Sequence, residues 1–341
     1  MLTRFPAGIY ASPIVGSGLV DMFAGTSWDN KTAGGNIFFV DGDNGDDTWD
    51  GHSPDSPMKT IAAAIAAAAR GAVIYIKARS MATGATDPVS YAEALTIPAA
   101  KDGMSLIGVA SERAQGRQPQ IKKGSGTAAL LTVRAPGCLI YGITFNGAGS
   151  TGGGISLDDD GSTKTAFGTV ILNCFFKNCV GTTATDARTG GAIQWSATNG
   201  GAAWQVLISG NRFYKNVGDV VLMGNSVVPQ DVVIEDNIFS GPAANTDCNL
   251  YLGAGSGMNG VIIRNNVFTA FPDIGSGSVL LFADLTGCVG VLANNQFAGN
   301  GYTFKAAGTG AKVPATVFMA GNSQEITASG GASGGQFSRA S

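Results

Sequence analysis

The stretch that decides the fold runs from residue 207 to residue 297, because one six-residue pattern recurs in it four times. Each copy begins with an aliphatic residue and has Asn fourth and Phe sixth: Ile208-Ser209-Gly210-Asn211-Arg212-Phe213, Ile234-Glu235-Asp236-Asn237-Ile238-Phe239, Ile263-Arg264-Asn265-Asn266-Val267-Phe268 and Leu292-Ala293-Asn294-Asn295-Gln296-Phe297. Successive phenylalanines lie 26, 29 and 29 residues apart. A fixed period of this length indicates repeated units, each of which buries its apolar face by stacking on the next.

The pattern continues on both sides of this stretch. Upstream, residues 170–175 supply Asn173 and Phe175, and one coil earlier Ile143 stands in the Asn position. Downstream, Asn322 keeps the asparagine. The step from Phe175 to the next phenylalanine of the series is 38 residues, which predicts an insertion around residues 182–190.

The apolar runs of the repeat are short and separated by Gly, Asn and Asp, which is typical of strands joined by tight turns and not of helices. Second short runs, such as Val220-Val221-Leu222-Met223, lie between the Asn-Phe segments. A unit of roughly 25–30 residues with two or three strands fits a parallel β-helix better than a propeller blade of about 40–45 residues. We therefore predict an all-β solenoid whose coils stack about 4.8 Å apart.

Two columns of side chains would organise this solenoid. Asparagine tolerates the left-handed conformation of a sharp corner, and stacked amides can hydrogen-bond from coil to coil. The phenylalanines would stack inside the tube. We interpret both columns as structural: Asn173, Asn211, Asn237, Asn266 and Asn295, with Phe175, Phe213, Phe239, Phe268 and Phe297.

Composition narrows the function classes. The 341 residues include 51 Gly and only 13% charged residues, against about 25% in an average domain, which indicates covered outer faces and hence an oligomer. A net charge of −3 gives no basic footprint, so we expect no nucleic acid partner. No apolar run is long enough for a bilayer and the first residues do not resemble a signal peptide. The five cysteines form no CxxC pair, so we predict buried, reduced thiols and assembly in a cytoplasm.

Three regions follow from a pass along the chain. Residues 1–35 show no repeat; they are either a disordered leader or an arm that becomes ordered on a partner, and their apolar content favours the arm. Residues 36–71 contain, in this order, a strand, an Asp/Gly loop, Pro57 and an Ala-rich helix over 59–70. This order of elements predicts a cap for the open end of the tube. Coils then run to residue 327, and the Gly/Ser-rich residues 328–341 have the composition of a flexible tail.

The cap sequence resembles a known family. Phe39-Val40-Asp41, Asn44-Gly45-Asp46-Asp47, Asp50-Gly51, Ser53-Pro54 and Pro57-Met58-Lys59-Thr60-Ile61 are similar to the N-terminal motif of right-handed β-helix proteins of the pectin-lyase-like class. That class includes polysaccharide lyases, hydrolases, bacteriophage tailspikes and other virion proteins. The resemblance covers residues 36–325; it implies the right-handed β-helix strongly and any one activity weakly, because one fold hosts many functions.

Candidate chemistry is sparse. A hydrolase would need two carboxylates at a defined separation, and a lyase a base with a neutralising group. Asp186 and Arg188 in the insertion, with Glu235, are the candidates for catalysis, although a solvated loop and a Glu235–Arg264 ladder pair are the simpler interpretations. Asp158-Asp159-Asp160 and Asp219 are weaker candidates, the three aspartates fitting a turn. His52 is the only histidine and lies in the cap loop, so no Ser-His-Asp triad is expected outside the cap.

The cap loop concentrates Asp41, Asp43 and Asp46, which are ligand types that Ca²⁺ prefers. Turn formation is the favoured interpretation and a Ca²⁺ site the alternative, and we expect no other cofactor.

Three functional hypotheses remain. The first is a non-enzymatic bacteriophage virion protein, a trimeric spike or decoration (cement) protein on the capsid that attaches to other virion proteins through residues 1–35. The second is a tailspike-like depolymerase that cuts a host surface glycan. The third is a glycan-binding adhesin with exposed aromatic residues in one row, for which Trp195, Trp204 and Tyr214 are candidates. The trimer and the virion location rest on the family resemblance.

Overall fold

The computed structural model describes residues 36–110, 117–148, 151–161, 164–181, 190–196, 204–222, 228–242, 248–252, 258–269, 280–298, 302–303, 316–324 and 335–336. Within these residues, 27 strands and one helix are present, and the strands form three long sheets. Each sheet takes about one strand from each coil, and neighbouring strands are parallel throughout apart from the last pair of the nine-stranded sheet. The chain therefore forms a parallel β-helix, as the period predicts.

The largest sheet, which we call the ten-stranded sheet, opens each coil. In spatial order its described strands are β1 (Ile37–Val40), β2 (Val73–Lys77), β4 (Ser105–Val109), β7 (Leu139–Tyr141), β10 (Val170–Leu172), β13 (Leu207–Ser209), β16 (Val233–Glu235), β19 (Asn259–Arg264), β22 (Val289–Ala293) and β25 (Val317–Ala320).

The nine-stranded sheet follows it around a sharp corner in each coil. Its described strands are β5 (Gln120–Ile121), β8 (Thr144–Asn146), β11 (Phe175–Lys177), β14 (Arg212–Asn216), β17 (Ile238–Pro242), β20 (Val267–Thr269), β23 (Gln296–Ala298), β26 (Ser323–Gln324) and β27 (Gly335–Gln336). The last of these, β27, lies inside the predicted tail and pairs antiparallel with β26.

The eight-stranded sheet closes the coil. Its described strands are β3 (Leu95–Ile97), β6 (Leu131–Val133), β9 (Ile155–Leu157), β12 (Ile193–Trp195), β15 (Val220–Val221), β18 (Cys248–Tyr251), β21 (Leu280–Asp284) and β24 (Tyr302–Thr303). The helix α1 spans Ile61–Ala67, which is shorter than the predicted 59–70. Thr60 is its N-cap, and the Thr60 side chain accepts a hydrogen bond from the Ala63 N–H. It buries Ile61, Ala64 and Ile65 in the common core, while its role as the cap of the tube stays a prediction.

A column of phenylalanine rings fills the tube along the nine-stranded sheet. Phe145, Phe176, Phe213, Phe239 and Phe268 are fully buried and stack with ring centroids 4.5–5.1 Å apart and planes within 10° of parallel. The strand register places Phe297 opposite Phe268. The prediction is therefore confirmed for Phe213, Phe239 and Phe268, but it is wrong for Phe175, which faces outward while Phe176 takes the inner place.

The asparagine column is also present, with one member displaced. Asn211, Asn237, Asn266, Asn295 and Asn322 are buried, and each Oδ1 accepts hydrogen bonds from the backbone N–H of the coil before it. Asn173 does not belong to this column, because Cys174 occupies the equivalent place and donates its N–H to Asn211 Oδ1 at 2.8 Å. The same one-residue shift that displaces Phe175 displaces Asn173.

The left-handed conformation belongs to the residue before each ladder asparagine and not to the asparagine itself. Asn173, Gly210, Asp236, Asn265, Asn294 and Gly321 form this column, with φ between 51° and 66°. Each corner thus uses two residues: the first turns the chain, and the second ties it to the next coil. Glycine or a short polar side chain is the type that adopts such a φ at low cost.

Candidate functional site

The cap loop holds the acidic cluster, and its carboxylates are bound by groups of the protein. Asp41 accepts from Lys77 Nζ at 2.5 Å and from Asn44 Nδ2 at 3.1 Å. Asp43 accepts from Arg79 Nε at 2.8 Å and from the Ser80 N–H at 2.6 Å. Asp46 accepts two hydrogen bonds from Thr48. These contacts fix the loop against the strand that ends at Lys77.

The electrostatics of the loop follow from these contacts. Burial opposes ionisation of the Asp41 carboxyl, but hydrogen bonds from Lys77, Asn44 and the backbone outweigh burial and lower its pKa to about 2. For Asp43, burial is likewise outweighed by the donors of Ser80 and Arg79, and its pKa is lowered. In the described part of the chain, no group of three or more His, Cys, Asp or Glu residues could hold a metal ion. The Ca²⁺ site at Asp41, Asp43 and Asp46 stays an untested prediction.

Glu235, one of the three candidates for catalysis, lies on the outside of β16 and pairs with the residue directly opposite on β19. Arg264 Nε lies 2.7 Å from Glu235 Oε2, so the expected ladder salt bridge is confirmed. The arginine side chain is about half exposed, and such a pair contributes roughly 0–1 kcal/mol. The other two candidates, Asp186 and Arg188, lie outside the described residues.

The weaker acidic candidates have structural partners. Asp158 pairs with Arg134 at 2.9 Å, while Asp159 accepts from the Gly161 N–H and Asp160 from the Lys164 N–H, as expected for a turn. Asp219 is almost fully buried between Asn216 Nδ2 at 2.9 Å and Asn249 Nδ2 at 2.7 Å. It therefore acts as an acidic member of a second, shorter hydrogen-bond network between coils.

The three aromatic residues considered for an adhesin do not form one row. Trp195 points into the core with 5% of its surface exposed. Trp204 is 47% exposed just before β13 of the ten-stranded sheet, whereas Tyr214 faces outward from the nine-stranded sheet. That part of the adhesin hypothesis is wrong, because consecutive strands of a coil face different directions. Trp204 instead packs edge-on against Phe167 of the preceding coil, with ring centroids 6.5 Å apart.

The outer face of the ten-stranded sheet is mostly apolar, although four of its positions carry polar or charged side chains: Ser105, Ser209, Glu235 and Arg264. Its inner row, with Ile140, Ile171 and Ile208, is fully buried, so the residues on either side point outward. In strand order the first outward row is Ile37, Val73, Ser105, Leu139, Val170, Leu207, Val233, Ile262, Val291 and Phe318. The second outward row is Phe39, Tyr75, Ile107, Tyr141, Leu172, Ser209, Glu235, Arg264, Ala293 and Ala320. We call these two rows the apolar face.

The eight-stranded sheet of the same coils provides a contrast. Its first four described strands alternate apolar and polar residues, as in Leu95-Thr96-Ile97 and Leu131-Thr132-Val133, whereas β15 (Val220–Val221) is apolar at both positions. The register aligns Thr96, Thr132, Ser156 and Gln194 in one outward row, which continues with Val221 and Tyr251. Alternation of this kind is typical of a sheet with one solvated face, whereas uninterrupted apolar strands are typical of parallel sheets that are covered on both faces.

The nine-stranded sheet carries a polar outward row: Asn146, Lys177, Tyr214, Ser240 and Thr269. Lys177 is nearly buried, and its Nζ lies 2.7 Å from Asp87 and 5.7 Å from the centre of the Phe175 ring. Asn146 donates to Gln120, which donates in turn to Ser90. Asp87 and Ser90 thus supply polar groups beside this row. We did not predict this contact from the sequence, because Asp87 and Lys177 are 90 residues apart.

No family model matches the sequence, and no curated protein matches it. Among solved structures, the GH136 lacto-N-biosidase from Eubacterium ramulus matches with a TM-score of 0.56 and 10% identity, over 87% of this chain and 56% of that protein. The pectin methylesterase from Aspergillus niger matches with a TM-score of 0.38 and 14% identity, over 86% of this chain and 87% of the enzyme. PfbA, a surface adhesin of Streptococcus pneumoniae, matches with a TM-score of 0.30 and 11% identity, over 76% of this chain and 78% of the adhesin.

The chain spans little more than half of the lacto-N-biosidase. At 10% identity this likeness shows the fold, a right-handed parallel β-helix, and leaves the activity open. None of the helices in the described part of the chain is long and apolar enough to cross a membrane.

Proposed function

We propose that the protein is a non-enzymatic structural component of a bacteriophage virion, a trimeric β-helix that acts as a spike or decoration protein on the capsid surface. The observation that carries this proposal is the apolar face: a tube with one mostly apolar side, whose two charged residues pair with each other, is suited to packing against other subunits. Residues 1–35 would attach the tube to capsid or tail proteins, and the protein would assemble in the host cytoplasm.

The local contacts of the candidate acids support a structural role. Glu235 is bound to Arg264, Asp158 to Arg134 and Asp219 to two buried amides. The virion setting itself rests on the sequence resemblance of the cap, which is shared by tailspikes and other particle proteins.

Deletion of residues 1–30 tests the proposed attachment. Virions assembled with the truncated chain should lose it from the purified particle, while the truncated protein itself still folds with an unchanged β-sheet circular dichroism spectrum. Deletion of residues 330–341 is the matched control and should leave incorporation at the full-length level. Normal incorporation of the N-terminally truncated chain would contradict the proposed role of the arm.

A second candidate function is glycan binding or cleavage along the nine-stranded sheet. The polar row and the Lys177–Asp87 pair favour it, because hydroxyl, amide and charged groups beside an aromatic ring are suited to sugars. The solved structures of similar fold include a lacto-N-biosidase and a surface adhesin.

Incubation with purified host surface polysaccharide distinguishes the two functions. Release of new reducing ends, or retention of the glycan that falls at least tenfold in Tyr214→Ala and not in Thr96→Ala, would establish the second candidate. The proposed non-enzymatic spike or decoration protein predicts neither result.

A further inference from the structure

We propose that the C-terminal residues 328–341 close the end of the tube as a lid, with Phe337 as the side chain that covers the core. The composition of this segment predicts a flexible tail, whereas its described part, β27, pairs with the last coil of the nine-stranded sheet. The lid does not depend on the virion role, because it concerns how the tube ends and not where the tube is attached.

The two ends of the tube differ in how the core is closed. At the N-terminal end, Phe38 begins the inner row of the ten-stranded sheet and is only 3% exposed, with the ring of His52 packed 4.6 Å from its own. At the C-terminal end, Met319 continues the same row after Leu292 and is only partly buried. The remaining surface of this inner-row side chain is apolar, and a cover over the end of the tube would remove it from water.

The aromatic row of the nine-stranded sheet stops one coil before the end. The register continues from Phe268 to Phe297 and then to Gln324, so an amide residue takes the position that phenylalanine has in the preceding coils. Residues 328–341 contain a single aromatic residue, Phe337, among Gly, Ser, Ala, Gln and Arg. The segment that follows the last coil therefore carries the type of side chain that the last coil does not supply.

The pairing of β27 gives the expected position of that ring. β27 runs antiparallel to β26, with Gly335 opposite Gln324 and Gln336 opposite Ser323. Residues two apart in a strand lie on the same face, and directly opposite residues of an antiparallel pair share a face. Phe337, which itself lies outside the described residues, would then share the face of Gly335 and of the inner aromatic row. A ring at this position would lie over the mouth of the tube, opposite the last ladder residue, Asn322.

The direction of β27 suits the end of a tube and not a further coil. A further coil would add parallel strands, as the earlier coils do, whereas an antiparallel strand turns the chain back across the last edge. It also occupies backbone groups of β26 that another chain could otherwise pair with. Four glycines, at residues 330, 331, 334 and 335, lie at or before this return strand, and glycine permits the conformations of a tight reversal.

Oxidation of methionine tests the lid, because peroxide transfers one oxygen atom to an exposed thioether and leaves water. In the full-length protein, Phe337→Ser should raise the rate of Met319 oxidation by hydrogen peroxide roughly fivefold or more, as read by peptide mass spectrometry. Ser338→Ala changes the neighbouring residue and should leave the rate at the wild-type value. Met104 and Met258 are fully buried and should stay unmodified in all three proteins, which shows that the tube is folded.

Two results of this experiment would overturn the proposal. Equal rates of Met319 oxidation in the wild type and in Phe337→Ser would show that the ring does not cover the end. A wild-type rate that rises on dilution would assign the cover to a second copy of the chain.

A second measurement tests the pairing of β27 without altering Phe337. Ser323→Cys and Gln336→Cys together place two thiols at directly opposite positions, where the Cα atoms of antiparallel strands lie about 4.5–5.5 Å apart, within the range of a disulfide. Mild oxidation should link them in most of the protein, whereas Ser323→Cys with Ser333→Cys should be linked in a small fraction. Equal yields of the two disulfides would contradict a lid of fixed register.

The lid and the virion role can fail separately. A chain that is found on virions but whose Met319 is oxidised equally with and without Phe337 loses the lid and keeps the structural role. A chain whose end is closed by Phe337 but which is absent from virions keeps the lid and loses the virion role.

Discussion

At the scale of single residues, each corner between the ten-stranded and nine-stranded sheets divides two tasks between neighbours. Asp236 has the left-handed φ, and the next residue, Asn237, accepts a hydrogen bond from Asn211 in the preceding coil and donates one to Asn266 in the following coil. Each ladder amide has an acceptor and a donor, so one asparagine can receive from one coil and donate to another. The recurrence of Asn was therefore enough to predict a ladder, but it gave no means of telling which of two adjacent residues turns the chain.

Asn237→Ala should be strongly destabilising. Asn237 Oδ1 accepts from the N–H and the amide of Asn211, and its Nδ2 donates to Ile208 O at 2.9 Å. Removal leaves buried donors and an acceptor without partners, which costs about 2–4 kcal/mol. Chemical denaturation should show this loss, whereas Ile238→Ala, at a 38% exposed neighbour, should cost less than half as much. Equal effects of the two substitutions would contradict the ladder.

Asp236 should accept glycine and reject a β-branched residue. Its φ of 56° is left-handed, and glycine already occupies the equivalent corner place at residues 210 and 321. We expect Asp236→Gly to change the free energy of unfolding by less than about 0.5 kcal/mol, and Asp236→Val to lower it by about 1–2 kcal/mol. A valine variant as stable as the glycine variant would show that the corner conformation is wrong.

Stability should depend on Asp41 at acid pH. Because its pKa in the folded protein, about 2, lies below the ordinary value of 3.8, the carboxylate stabilises the fold fully above about pH 4. That contribution is lost as the pH falls from 4 toward 2. Thermal unfolding should show a steeper fall over this range in the wild type than in Asp41→Asn, which is already less stable at pH 7. Parallel curves would mean that Lys77 does not hold the carboxylate.

At the scale of elements, the strand register shows which parts of the strand pairing could be predicted from the sequence. The 26- and 29-residue steps gave the correct register for β14, β17 and β20, because no insertion interrupts them. Upstream of the insertion, Asn173-Cys174-Phe175-Phe176 fits the Asn-x-Phe pattern with the wrong phenylalanine. Packing determines which phenylalanine points inward. Cys174 occupies the position that Asn has in the later coils, and the ring of Phe176 completes the stack between Phe145 and Phe213.

Substitution of the two adjacent phenylalanines tests this register. Phe176→Ala removes a fully buried ring from the middle of the stack and should cost about 3–5 kcal/mol, by transfer and cavity formation. Phe175→Ala removes an outward ring and should cost about 1 kcal/mol or less. Denaturant midpoints measure both, and Phe176→Leu serves where the alanine variant does not fold. A larger loss of stability in Phe175→Ala than in Phe176→Ala would contradict this register and favour the one that the sequence motif alone predicts.

At the scale of the whole molecule, the three faces of one tube differ in chemistry. The first four strands of the eight-stranded sheet present a Thr/Ser/Gln row, the nine-stranded sheet presents a polar row with Lys177, and the ten-stranded sheet presents the apolar face. Low charge in the sequence predicts a covered surface, which stays a prediction, and it does not indicate which sheet is apolar on the outside, because that depends on which residues flank the buried isoleucines. Contacts between distant segments, such as Asp87 with Lys177, depend on the path of the coils and could not be predicted from local pattern.

The interior should be chemically inert while the tube is intact. Cys138, Cys174, Cys179 and Cys288 are buried free thiols, as predicted, and the side chain of Cys248 lies outside the described residues. Burial raises the pKa of Cys138, Cys174 and Cys179 to about 12. Iodoacetamide at pH 8 should leave these three unmodified in the native protein and label them in denaturant, as read by peptide mass spectrometry. Labelling at native rates typical of free thiols would contradict a continuous core.

Cryo-electron microscopy of intact virions from the source that encodes this chain tests the central claim most directly. The account predicts several β-helical tubes grouped on the particle surface, each with its ten-stranded sheet turned toward a neighbouring copy and its Thr/Ser/Gln row toward solvent. Particles that lack the chain, or tubes that stand singly with the apolar face open to water, would contradict it.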